Sequence, residues 1–440
     1  MKLNANTASF ILIAFFAAAA LSAQTAVSSS ADEKKQTVQT LTADDAVTMA
    51  IKNNVSIKTG QITLDAAKRA DSHSWNSISP SASVVGGLTK PNDNSSYDYS
   101  TYLQAKVSLS LSPSLFTSIK AARLSYDEGK ITYEETCRTI EKSVRSSFYG
   151  LLYENENLML QQRNLETAKQ QYDQNKAKYN QGRMSELDVL SAEVTYKNYI
   201  PTVEKVQIAL ENDMSAFKQM LGIDQTQEIE LSGSLDDALK IGSISIGSVE
   251  ASAPSIKTLE KELEAAKTAV TASRFSAFGP TIAAGWSYQP TQSTKDGTTS
   301  DTKDSGSLTL AVSVPLDGIL PWSTGADKIA TAKDTVDKLE LQLADQKTTV
   351  KVNAENYLRQ IKQLQSTIQS QQANVDLAQK KYDMTLDAYN HGTKDLLSLQ
   401  DASDSLLEAK VSLKNEAYSL ICTVLNLEST IGVPFGTLGK

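Results

Sequence analysis

The chain has 440 residues, 40% of them hydrophobic and only ten of them proline, and its wealth of Ala, Gln, Lys, Leu and Glu suits long helices better than a set of ordinary cores. A formal charge of −8 argues against a nucleic-acid partner, because phosphate binding wants a basic face. The two cysteines, Cys137 and Cys422, lie far apart in helical patterns and read as small packing residues, with no disulfide framework.

The N-terminus reads as a signal peptide over residues 1–23. Lys2 precedes an apolar run from Phe10 to Leu21, and Ser22 and Ala23 are small enough for cleavage, although Leu21 is an imperfect minus-three residue. No later stretch holds 18 consecutive apolar residues, so no membrane-spanning helix is expected after export. No cysteine follows the signal region to carry a lipid, and membrane attachment must come from the fold.

Beyond residue 24 the chain is duplicated. Ser56-Ile57-Lys58-Thr59 recurs as Ser255-Ile256-Lys257-Thr258, and each copy then reaches a proline, Pro80 or Pro280. Tyr179-Asn180-Gln181-Gly182 recurs as Tyr389-Asn390-His391-Gly392, with Leu187 and Ala192 matching Leu397 and Ala402. Each half therefore reads as helix, strand, strand and long helix pair. The first repeat is placed at 24–221 with strands near 81–90 and 102–112, and the second at 254–427 with strands near 281–289 and 307–315. Between them, residues 222–253 form a Gly/Ser-rich equatorial linker with short apolar pieces such as Ile241 to Ile246, and 428–440 is a C-terminal tail.

The strands show a period of two. Val107, Leu109 and Leu111 alternate with serines, and Leu308, Leu310, Val312 and Val314 alternate with Thr309, Ala311 and Ser313. Ile282, Ala284, Trp286 and Tyr288 share one side of the third run, and Tyr97, Tyr99 and Tyr102 suit the interfacial girdle of a membrane barrel. Pro91 to Ser100 and Pro290 to Ser307 read as polar loops. Four strands cannot close a membrane barrel, since known barrels begin at about eight and an open edge in lipid leaves backbone groups unsatisfied. Oligomerisation is therefore required. Strand counting allows a dimer or a trimer, of which the trimer leaves the more useful aqueous pore.

The helical regions are heptad-patterned. Cys137, Val144, Leu151, Leu158, Leu165, Tyr172 and Tyr179 form one row. Ala354, Ile361, Ile368, Val375, Tyr382 and Tyr389 form another, beside Val336, Leu343, Val350, Tyr357 and Leu364. Val336 to Tyr389 alone would span roughly 80 Å, a length that implies helix pairing and not a globular core. The Tyr-Asn-X-Gly segments read as hairpin tips.

The ordered, duplicated helix-strand-strand-helix halves, the motif Tyr-Asn-X-Gly-X-X-X-X-Leu and the strand exit Pro315-Leu316-Asp317-Gly318 resemble the TolC-like outer-membrane efflux protein family over nearly all of the mature chain. The resemblance implies an α+β membrane protein, a tandem-repeat protomer of long coiled-coil helices plus four β-strands. Three protomers would form a 12-stranded β-barrel in the outer membrane and a 12-helix α-barrel in the periplasm. It implies a homotrimer that conducts solutes from a periplasm-spanning efflux or secretion pump to the exterior. Its partners would be a periplasmic adaptor, an inner-membrane pump and outer-membrane lipid.

By the same resemblance, the periplasmic gate maps to Asp188, Tyr389 and Lys394. Lysine stands where arginine is usual, so bidentate pairing is lost and the latch is expected to be soft. An exposed pair of this kind is worth about 0–1 kcal/mol. The lumen-facing carboxylates of the family map to Ser398 and Asp401, of which only Asp401 is acidic, predicting a weak cation-attracting ring. Adaptor docking maps to the tips, through Gly182, Ser185, Leu187, Gly392, Asp395 and Leu397. Without the resemblance, a pore-less periplasmic coiled-coil or adaptor protein is the rival reading. Catalysis has little support, because His73 and His391 stand apart with no metal-ligand spacing, phosphate loop or dinucleotide fingerprint, and no cofactor is expected. The transported substrate is not legible.

Overall fold

The computed structural model describes residues 39–90, 98–236, 241–242, 244 and 253–438. The expected signal peptide and residues 91–97 of the first polar loop, Tyr97 among them, lie outside the described residues, as does most of the linker between 237 and 252, while Tyr99 and Ser100 at the end of that loop belong to a strand.

The first half runs through β1 (Gln39–Leu41), α1 (Ala43–Asn53), α2 (Val55–Ser72), β2 (Ser81–Thr89), β3 (Tyr99–Leu111), α3 (Ser114–Asn180) and α4 (Glu186–Leu221). After β4 (Ile229–Leu231), the second half runs through α5 (Pro254–Phe278), β5 (Thr281–Lys295), β6 (Thr298–Thr299), β7 (Lys303–Ser313), α6 (Thr324–Asn390) and α7 (Leu396–Ile431). Both α3 and α6 have 67 residues, and both α4 and α7 have 36. At 1.5 Å per residue the longer pair each span roughly 100 Å. No helix among the described residues is long and apolar enough to cross a membrane.

In the first half α1 precedes α2, the helix that matches α5 in the duplication, and Asn54 separates the two. Asn54 turns out of α1, caps α2 by accepting from Ser56 N at 2.8 Å, and donates Nδ2 to Met220 O at 2.8 Å. That bond ties the start of the repeat to its end. Gly222 closes α4 with φ +67°, and a Cβ there would stand 2.8 Å from Asn53 O, so both backbone conformation and space require glycine.

The main sheet is antiparallel, in the order β2-β3-β5-β7. Register places Val84, Leu103, Val107, Trp286, Leu308 and Leu310 on one apolar face. All six are exposed in the protomer. The opposite face carries Ser81 against Ser108 (2.8 Å), Gln104 against Gln289 (3.0 Å) and Ser287 against Ser307 (2.9 Å). Apart from Val85, Ala283 and Ala311 on the polar side, this difference between the faces is what a period-two sequence imposes on a strand.

Two expectations need correction. Residues 290–307 are mostly strand and not loop: β5 continues to Lys295, turns through Asp296 (φ +48°) and Gly297 (φ +76°), and returns as β6 and then β7. Asp-Gly with positive φ at both positions is the tight hairpin turn that matches strand twist, and the Thr, Ser and Gln around it are good strand residues without apolar alternation. Tyr102 does not join an outward girdle. Even-numbered residues of β3 face the polar side, and its ring covers Gly87, where a Cβ would lie 2.4 Å from the Tyr102 ring. Tyr99, of odd parity, is on the apolar side.

α3–α4 and α6–α7 form two long hairpins, packed along each other through α3 and α7 and flanked by α2 and α5. Their apolar core lies at the equator, where Phe148, Leu152, Phe217, Leu221 and Leu235 are buried together under the β1–β4 pair. A fully buried side chain of this size contributes about 1.5–3 kcal/mol. α7 continues through Ile431, into the segment expected as tail, and the chain beyond it folds back. The enclosed Glu428 carboxylate accepts from the backbone N–H of Gly436, Thr437 and Leu438 at 2.8–2.9 Å, and the Arg138 guanidinium donates to Glu428 O and Val433 O. Three N–H donors compensate a carboxylate that burial would otherwise penalise.

Candidate functional site

Both tips are built by the same local chemistry. After Tyr179-Asn180 the helix ends, Gly182 takes φ +71°, and Gly182 N and Arg183 N donate back to Tyr179 O (2.8 Å) and Lys178 O (2.9 Å). After Tyr389-Asn390, Gly392 takes φ +72°, and Gly392 N and Thr393 N donate to Tyr389 O and Ala388 O, both at 2.9 Å. This pair of reverse bonds satisfies the last carbonyls and needs glycine for its sign of φ. Open space surrounds both glycines within the protomer.

The returning helices are capped by the same two residue types in exchanged positions. Ser185 caps α4 and its hydroxyl donates to Asp188 Oδ2 at 2.6 Å, while Asp188 N donates to Ser185 Oγ at 3.2 Å. Asp395 caps α7 by accepting from Ser398 N at 3.0 Å. Hydrogen bonds from the Ser398 side chain and backbone hold the Asp395 carboxyl below the usual carboxylate range. Ser185 and Asp188 of the first tip thus correspond to Asp395 and Ser398 of the second, with hydroxyl and carboxylate exchanged.

The mapped gate residues sit close to this point. Tyr389 is in the last turn of α6, Asp188 in the first turn of α4 and Lys394 in the second tip loop. Burial pushes the Tyr389 hydroxyl pKa up, with the nearby Asp188 charge adding to it and a hydrogen bond to Asn175 opposing it. Tyr389 donates to Asn175 Oδ1 at 2.7 Å, across from α6 to α3, with Lys178 over its ring. Asn175 is only 1% exposed, and its Nδ2 has no partner. Sequence reading misses Asn175. A signal is present, a polar residue four positions before Tyr179 inside a heptad seam. Lys394 is exposed and not paired with Asp188 within the protomer. Asp401 is exposed on α7. The two tip leucines related by the duplication are both bare, Leu187 at 73% exposed and Leu397 at 64%.

Further from the tips the hairpins are joined by polar bonds: Gln400 to Thr195 at 2.8 Å, and Tyr199 to the Asp404 carboxylate. Burial and that carboxylate raise the Tyr199 pKa. On α3, Glu154 faces Asp213 of α4, and burial followed by Asp213 pushes its carboxyl up to about 7.

This architecture meets known proteins at two levels. The model of the outer membrane efflux protein family matches residues 46–222 and 246–433, both halves of the chain. The chain belongs to the outer membrane efflux protein family. Among solved structures, the Campylobacter jejuni CmeC outer membrane channel is similar, with 18% identity and a TM-score of 0.73 over 89% of this chain and 85% of that one. CusC is similar at 15% identity and a TM-score of 0.74, over 89% and 92%. VceC of Vibrio cholerae gives 14% and 0.69, over 89% and 96%. No curated protein sequence matches the chain. The family consists of outer-membrane channels with a periplasmic helical tunnel, and its members are not enzymes.

Proposed function

We propose that three copies of this chain close one conduit, a 12-stranded barrel continued by a 12-helix tunnel, that carries solutes from a periplasm-spanning pump to the exterior. The observation that carries this reading is the main sheet: four strands, apolar on one face and hydroxyl-rich on the other, with β2 and β7 each paired on one side only among the described residues. Unpaired strand edges are not tolerated in lipid, so the edges of neighbouring protomers must meet. A pore-less coiled-coil protein has no use for such a face. Efflux channels of this family are trimeric and work with periplasmic adaptors and inner-membrane pumps, which supports the same assembly here. The protein purified in detergent is expected to have the mass of three chains and to produce step currents in planar bilayers. A monomer that stays in solution without detergent and is electrically silent would refute the reading.

The gate belongs to this proposal. Tyr389, Asp188 and Lys394 would close the entrance by contacts within and between protomers, and Asp401 would line the passage behind it and draw in cations. Asp188→Ala with Lys394→Ala is expected to raise single-channel conductance, and unchanged conductance would remove these residues from the gate. Gly182, Ser185, Leu187, Gly392, Asp395 and Leu397 form the matching docking surface for an adaptor. Leu187→Ser with Leu397→Ser should abolish site-specific crosslinking to the adaptor at the tips while leaving bilayer conductance intact.

A further inference from the structure

The polar face of the main sheet has one charged side chain in its interior. On the rows from Ser110 to Gln104 and the residues paired with them, every other residue on that face is uncharged. Lys106 stands within these rows, opposite Ser83 on β2 and Ser287 on β5. The next charge on this face, Lys303, begins β7 at the far rim, on the row of Thr291. Lys106 is exposed, and no acidic residue is paired with it among the described residues. The face is hollow here: a 450 Å³ depression is lined by Lys106 with Ser81, Ser108, Ser287, Ser307 and Thr309. Its neighbours are hydroxyl side chains, which solvate the ammonium but do not neutralise it.

We propose that Lys106 is a selectivity residue of the barrel, forming a ring of three uncompensated cations that favours anionic solutes over cations in this segment of the pore. The inference rests on the three-fold conduit proposed above, with the polar face turned to the lumen. It places two rings of opposite sign in series, Asp401 near the helix tips and Lys106 within the membrane. A charge on the wall of a wide aqueous pore acts over about one Debye length, roughly 8 Å at 0.15 M salt and 30 Å at 0.01 M. The effect of Lys106 therefore grows as salt is lowered, and it shows best when the opposing tip ring has been removed.

The test is reversal potential in planar bilayers across a KCl gradient at about 0.01 M on the dilute side. Proteins would carry Asp401→Asn, alone or with Lys106→Gln or Lys106→Glu. Lys106 is exposed and its side chain has no ion pair among the described residues, so all three are expected to assemble. The chloride-to-potassium permeability ratio should fall at least about twofold with Lys106→Gln and further with Lys106→Glu. Step currents with the same ratio in all three proteins would overturn the role of Lys106 while leaving the conduit standing. Absence of currents from every protein, parent included, would overturn the conduit and this inference with it.

Discussion

The same four long helices are packed in two different ways along their length. At the equator α3, α4 and α7 meet through Val144, Phe148, Leu151, Phe217 and Leu221, all of them buried. Toward the tips the buried side chains are smaller and more scattered, Ala168, Ala192, Leu399 and Ala402 among them, and α3 also turns Asn157 and Asn175 inward, each with an enclosed side-chain atom that has no hydrogen-bond partner among the described residues. An apolar core gains from every enclosed atom, whereas an unpartnered buried polar atom costs about 1–3 kcal/mol. The equatorial half is therefore the stable frame. The tip half adds to its smaller apolar contacts a few specific polar bonds between hairpins, Tyr389 to Asn175 and Gln400 to Thr195 among them, and these are cheap to exchange. A conduit closed at its tips and anchored at its equator wants this division.

The largest expected effect is at the equator. Phe148→Ala empties the centre of the core and should cost about 3–5 kcal/mol, read as a lower denaturation midpoint of the detergent-purified protein. A loss no greater than that of a tip substitution would break the comparison. Next is Glu154. Its folded pKa, about 7, lies above the ordinary glutamate value of 4.5, so the unfolded chain ionises first as pH rises. Stability should fall between those two values and stay level above them. Because Glu154 is only partly enclosed, the discounted loss is on the order of 1–2 kcal/mol. Glu154→Gln should flatten the profile, and a wild-type thermal midpoint that rises from pH 5 to pH 8 would contradict the assignment. The smallest effect concerns the tip bond. A double-mutant cycle of Asn175→Ala and Tyr389→Phe should give a coupling of about 0.5–1.5 kcal/mol in thermal or denaturant unfolding, and zero coupling would mean the two hairpins are not joined there.

Much of this division is legible in residue spacing. Val350, Ala354, Ile361 and Ile368 belong to the heptad seams and are buried, and the Tyr-Asn-X-Gly segments carry the chain reversal at Gly182 and Gly392. Other features are hidden for identifiable reasons. The extension of β5 to Lys295 has no apolar alternation to announce it, since its far end pairs through Thr, Ser and Gln. Asn175 looks like any surface asparagine, because what makes it interior is the arrival of Tyr389 from 214 residues away.

By itself the sequence determined the duplication, the long helices, the turns between them and the two unlike faces of the strands. All of these are local or periodic, written in propensity and in the spacing of apolar residues. The tertiary structure decided how the first hairpin slides against the second. A heptad pattern says which face of a helix turns inward but leaves its axial offset open, and it takes particular meetings, Tyr389 with Asn175 and Gln400 with Thr195, to set it.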